Sequence, residues 1–150
     1  MTFASWAELA AENPGLAAFG AARLAAAPAY LATVRADSAP RVHPVTPIVA
    51  PSGLFVFMEP TSPKAKDLRE RGWFALHSGV PDSNGTGGEF SVSGVGVFVD
   101  DGEVRAAVCA AASYDPVERY ILFELLSREA RANGYGDVEL PREPRWKACR

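Results

Sequence analysis

Two short segments carry residue types suited to holding an anion. The first is Ser62-Pro63-Lys64-Ala65-Lys66. A serine before a proline reads as a helix N-cap followed by a first helical position that needs no N–H. The free amides and dipole of that first turn favour negative charge, and Lys64 and Lys66 add cations beside it. The second is Arg41-Val42-His43-Pro44-Val45. In an extended strand Arg41 and His43 share a face, roughly 7 Å apart. The planar fork of Arg41 suits a phosphate, and the backbone of 43–45 could lie against a flat ring. Each segment also has an ordinary reading: a solvated helix start, and an exposed strand face closed by a salt bridge. Glu89, after a glycine-rich loop, could accept a hydrogen bond from a ring N–H or a ligand hydroxyl. His77, at a strand end, reads as a proton donor or, more simply, as a structural histidine.

Other chemistries lack their signatures. The loop Ser83-Asn84-Gly85-Thr86-Gly87-Gly88 has no GK[ST] ending and precedes a strand, so it is not a P-loop. No GxGxxG fingerprint and no GxSxG elbow occurs. His43 and His77, the only histidines, have no metal-ligand spacing. Cys109 and Cys149 form no CxxC pair and read as ordinary thiols.

The elements that must position these residues follow from pattern. Residues 3–27 read as helical: Ser5 with Glu8 has the form of a capping box, and Asn13-Pro14 that of an N-cap with proline at the first helical position. From 29 the period becomes alternating. Strands are expected at 29–35, 41–49, 54–58, 73–78 and 89–99, joined by short turns, which favours an antiparallel meander. Pro44 and Pro47 lie inside the second of these; neither donates to a ladder, so that strand belongs at an edge, a bulge or a ligand-contacting mouth. A short helix is expected from Ser62 to Arg71, stopped by Gly72, and another over 103–112. The segment 118–135 has helix-forming composition, but its alternation also permits a buried strand. A barrel needs a closing strand, so a strand is expected there. Trp146, in the tail 136–150, is either an anchor or a lid over a partner's site.

The bulk properties set outer limits. A chain of 150 residues fits one domain. A net charge of −3 gives no reason to expect a nucleic-acid or membrane partner. No apolar run approaches the ~18 residues of a membrane span, and the start of the chain lacks the basic and apolar regions of a signal peptide. A cytoplasmic protein is expected.

Three stretches together resemble a known family. "YLATVRADSAPRVHPVTP", then "LFVFMEPTSPKAKDLRERGWFALHS", then "GEFSVSGVGVFVDD" are similar to the pyridoxamine 5′-phosphate oxidase-like flavin-binding split barrels. The resemblance is good over about 29–101 and thin in the tail. It implies a mainly β fold with flanking helices, a six-stranded antiparallel split β-barrel over about 29–135, working as a homodimer with an FMN in each interface groove. It further implies that Arg41, Ser62 and Lys64 hold the phosphate. Val42, His43, Pro44, Val45 and Thr46, with Phe57 and Met58, would line the isoalloxazine, and Glu89 would approach the flavin of the partner subunit. The chain departs from the oxidase at Pro63, where a second basic residue is common, and in its tail.

The expected function is a flavin-dependent oxidoreductase of unknown substrate. Two alternatives stand beside it. A deazaflavin, with a longer tail, would use a broader basic groove from Lys66, Arg69 and Arg71. A non-catalytic protein would bind flavin, or haem through His43 or His77.

Overall fold

Ser5 and Asn13 start the first two helices as their residue types dictate. In a computed structural model, which describes residues 1–149, α1 (Trp6–Glu12) opens with a capping box in which Ser5 Oγ accepts from Glu8 N–H and Glu8 accepts from Ser5 N–H. Asn13 caps α2 (Pro14–Ala26) by accepting from Leu16 N–H at 3.1 Å. Both helices lay apolar faces on a sheet. Trp6, Leu9, Leu16 and Leu24 enter the main core with Leu31, Leu76, Phe90, Val92 and Leu125.

The strands are β1 (Ala29–Val34), β2 (Pro40–Val45), β3 (Ile48–Ala50), β4 (Gly53–Met58), β5 (Trp73–His77), β6 (Glu89–Val99), β7 (Ile121–Asn133) and β8 (Arg145–Lys147). They form one antiparallel sheet in the order β2-β1-β5-β6-β7-β4-β3, with β8 added on β7. The sheet's two ends, β2 and β3, are consecutive in the chain. The sheet therefore curls until its two edges are joined through Thr46-Pro47, with no ladder between β2 and β3.

This corrects two expectations. The run 41–49 is not one strand. Pro47 lacks an N–H and cannot continue a ladder, so the chain pairs with β1 before it and with β4 after it. The split and the tail strand β8 raise the count from six strands to eight.

The expected strand at 118–135 is β7, the longest in the sheet. From Leu122 to Asn133 it pairs with β6, with Arg128 left out of register. Its other edge is shared in turn by β4, by a single bridge from Ala4 to Ser127, and by β8. A bulge at Ser93/Gly94 bends the β6–β7 ladder.

Helix α4 (Gly102–Ala111), capped by Asp101, covers the outer side of β4. Phe55 and Phe57 face Val108 under it, while Leu54, Val56 and Met58 face the main core. Every residue of β4 is buried for that reason. Helix α3 (Pro63–Glu70) starts at Ser62 and ends before Gly72, whose φ of 83° is the left-handed geometry that glycine tolerates. Trp146 is an anchor: its ring is buried and its Nε1–H donates to Glu12 at 2.6 Å. Cys109 and Cys149 are both free thiols. No helix among the described residues is long and apolar enough to cross a membrane.

Candidate functional site

Where β2 gives way to β3, a groove of about 420 Å³ opens between the end of β2, the end of β4 and the start of α3. Six of the residues singled out from sequence line it: Pro44, Val45 and Thr46 on one wall, Phe57 and Met58 on another, and Lys64 at the helix start. Sequence order gave no hint that 44–46 and 57–58 meet; the curl of the sheet brings them together. Pro28, Glu59, Tyr114 and Tyr120 also line the groove and were not anticipated. Both tyrosines sit on the α4–β7 connection; the alternation of 118–135 includes Tyr120 but gives no sign that it faces this groove.

Lys64 is the groove's cation. It is half-buried, and partial burial holds its ammonium below the usual value. Among the described residues no carboxylate lies within salt-bridge distance of it, whereas Lys66 meets Glu70 at 3.9 Å. A partly desolvated, unpaired ammonium favours an anion beside it. Glu59, the groove's carboxylate, is held by Arg119, whose Nε lies 2.9 and 3.1 Å from its two oxygens. That hydrogen bond, more than the Coulomb attraction of the same guanidinium, keeps Glu59 below its usual pKa. Burial pushes the Tyr114 phenol up, and nearby Tyr120 and Cys109 add to this.

The remaining sequence candidates lie off the groove lining. Ser62 serves the helix: its Oγ donates to Glu59 carbonyl at 2.8 Å and accepts from Ala65 N–H at 3.3 Å. Arg41 reaches from β2 to α3, where its Nε donates to Asp67 at 2.8 Å, one turn beyond Lys64. His43 is half-buried on the same side of β2 as Arg41, and Val42 is exposed on the other. Glu89 accepts from Asn133 Nδ2 at 3.0 Å and lies 3.6 Å from His77 Nε2. His77 Nδ1 sits 2.6 Å from Ser78 carbonyl oxygen, so this histidine is held as part of the structure. Arg69 stacks on the Phe98 ring at 4.1 Å, and Arg71 is tied to Asp67, Glu70 and Val34 carbonyl. Among the described residues no cluster of three or more His, Cys, Asp or Glu is placed to hold a metal ion.

The groove is not the widest concavity. An open depression of about 750 Å³ lies between α2 and the loops 84–87 and 135–139, lined by Arg23, Asp137 and Glu139 among others. Both concavities carry charges of both signs, but in the groove Glu59 is neutralised by Arg119, and Lys64, without a carboxylate partner among the described residues, stands beside an apolar, aromatic wall. A few polar groups converging on an apolar cleft is the usual form of a cofactor site.

Comparison with known proteins settles the architecture. No protein-family model matches the chain, and no curated protein matches it in sequence. Among solved structures, a heme binding protein from Mycobacterium smegmatis superposes with a TM-score of 0.64 at 17% identity, over 87% of this chain and 57% of that one. HutZ, a heme storage protein from Vibrio cholerae, gives 0.64 at 19% identity, over 82% and 95%. A Listeria innocua protein provisionally assigned as a pyridoxamine 5′-phosphate oxidase gives 0.60 at 13% identity, over 74% and 92%. The chain thus spans little more than half of the mycobacterial protein and nearly all of HutZ. The curled antiparallel sheet with helices on its flanks is a split β-barrel. Its fold is that of the pyridoxamine 5′-phosphate oxidase-like proteins.

Proposed function

We propose that this chain binds FMN in the groove at the β2–β3 junction and acts as a flavin-dependent oxidoreductase. One observation carries the reading: Lys64, half-buried and without a carboxylate partner among the described residues, stands at the N-terminus of α3 beside the apolar wall of Phe57, Met58 and Pro44. Lys64 and Arg41 would hold the phosphate, with the α3 amides behind them. The backbone of Val45 and Thr46 would run along the ring, and Phe57 and Met58 would exclude water from it. FMN supplies hydride and single-electron transfer when bound; the chain supplies binding and orientation.

A second copy would complete the site. The outer sheet face exposes Tyr30, Val42 and Trp73 at 50, 62 and 39%. Apolar side chains gathered on one face suit a partner surface. Glu89, at the end of that sheet, would then meet the partner's cofactor.

Two observations favour FMN over the alternatives. Lys66, Arg69 and Arg71 are engaged with Glu70, Phe98 and Asp67, which leaves no broad basic groove for a longer deazaflavin tail. Neither histidine lines the groove, which leaves haem without an imidazole ligand there.

The purified protein is expected to be yellow, to release FMN on denaturation and to sediment as a dimer. Lys64→Ala should weaken FMN binding by about 10- to 100-fold, the worth of a charged hydrogen bond. Its affinity for riboflavin, which lacks the phosphate, should stay constant. Colourless protein that takes up no added FMN, or equal loss of both ligands, would overturn the reading.

A further inference from the structure

One turn along α3 from Lys64, a buried carboxylate ties the helix to two strands. Asp67 is only 3% exposed, yet it meets three donors from three elements. Thr33 Oγ1 of β1 donates to its Oδ2 at 2.7 Å, and Arg41 Nε of β2 donates to the same oxygen at 2.8 Å. Arg71 Nη2, one turn along α3, donates to Oδ1 at 3.1 Å and also donates through Nε to the Val34 carbonyl at 2.6 Å. Both carboxylate oxygens are used, so this charge is fixed.

The way Arg41 is held matters. A guanidinium usually meets a carboxylate through two parallel N–H bonds. Here only Nε is engaged, and among the described residues neither terminal amino group of Arg41 has a partner. The side chain is still 27% exposed. Arg41 is therefore oriented by its inner nitrogen while its outer N–H groups stay available. Asp67 and Lys64 are three residues apart on α3 and lie on the same side of the helix. Arg41 and Arg71 are paired with this one carboxylate, and Lys64 stands one turn back along α3. Glu70 takes a second bond from Arg71 at 3.0 Å, so the three cations Arg41, Arg71 and Lys64 face two carboxylates and one positive charge is left in excess.

The geometry points to Asp67 as a positioning residue for the phosphate: it grips Arg41 by Nε, so that its terminal amino groups and the Lys64 ammonium form one two-cation anion site. This rests on the FMN reading and adds a residue that touches no part of the ligand.

The test compares FMN, riboflavin and inorganic pyrophosphate on the full chain and on Asp67→Ala. The variant is expected to lose about 10- to 100-fold in FMN affinity, as for a charge-assisted hydrogen bond, while riboflavin affinity is unchanged. A merely structural role would weaken both flavins alike, and that result, or no change in either, would overturn the inference while leaving the FMN reading standing. Should the alanine variant fail to fold, Thr33→Val removes one of the two donors on Oδ2 and should give a smaller selective loss, about 2- to 10-fold. If the wild-type chain takes up no FMN, NMR of the Arg41 Nε–H and Lys64 signals during pyrophosphate titration decides. Shifts that disappear in Asp67→Ala would keep the inference without the cofactor. Their absence in the wild-type chain would overturn it.

Discussion

Asp67 keeps its charge against its surroundings. Burial alone would raise its pKa, but hydrogen bonds from Thr33 and Arg41, with Arg71 behind them, outweigh that and hold the carboxyl below its usual value of 3.8. A carboxyl whose pKa is depressed in the folded state adds stability that is fully present above the unfolded pKa and is lost as pH falls through the folded value. The stability difference between wild type and Asp67→Asn should therefore be largest near neutrality and shrink below about pH 4. Thermal unfolding of both between pH 7 and pH 2 measures it, and parallel acid slopes would count against this account. At this scale the sequence was half legible. Ser62 and Lys64 stood out by type and spacing. The partnership of Arg41 with Asp67 did not, because it links a strand to a helix across a fold that local pattern does not encode. The ordinary reading of Arg41, a strand residue closed by a salt bridge, describes its Nε; the expected phosphate role rests on its other nitrogens.

Among the elements, the capping signals were the most readable, because Ser5, Asn13, Ser62 and Asp101 satisfy backbone groups within a few residues of themselves. β7 was read against its own propensity, since the barrel needed a closing strand. The break at Thr46-Pro47 was only partly read: two prolines marked an edge, but nothing local showed that the two halves pair on opposite sides. Gly94 of β6, opposite the bulge that Arg128 makes in β7, is another position that sequence leaves unexplained. A Cβ there would fall onto the Leu126 carbonyl oxygen of β7. Gly94→Ala must push the two longest strands apart and should cost about 2 to 4 kcal/mol, as for overpacking that a backbone cannot relieve. Urea unfolding will show this as a lower midpoint; an unchanged midpoint would mean that the bulge yields freely.

For the whole molecule, the two ends of the described chain clasp each other. Asn13 Nδ2 donates to Glu143 carbonyl at 3.0 Å, and Trp146 donates to Glu12 from under α1. β8 meanwhile covers part of the β7 edge. Trp146→Phe keeps most of the apolar area and removes only the donor. It should lower stability by about 1 to 2 kcal/mol, or about 2 to 8 °C in Tm, with the proposed FMN binding unaffected because Trp146 does not line the groove. A drop in flavin retention without a drop in Tm would instead make Trp146 part of the site. The order of the sheet carries a further consequence, for synthesis on the ribosome. β4 is apolar on both faces, yet apart from its short hairpin partner β3 it pairs only with β7, made long afterwards. While α4 and β7 are still to be translated, Gly53–Met58 is an open, sticky edge. Until Ile121 and the residues after it are made, one edge of this wholly buried strand has no partner to cover it.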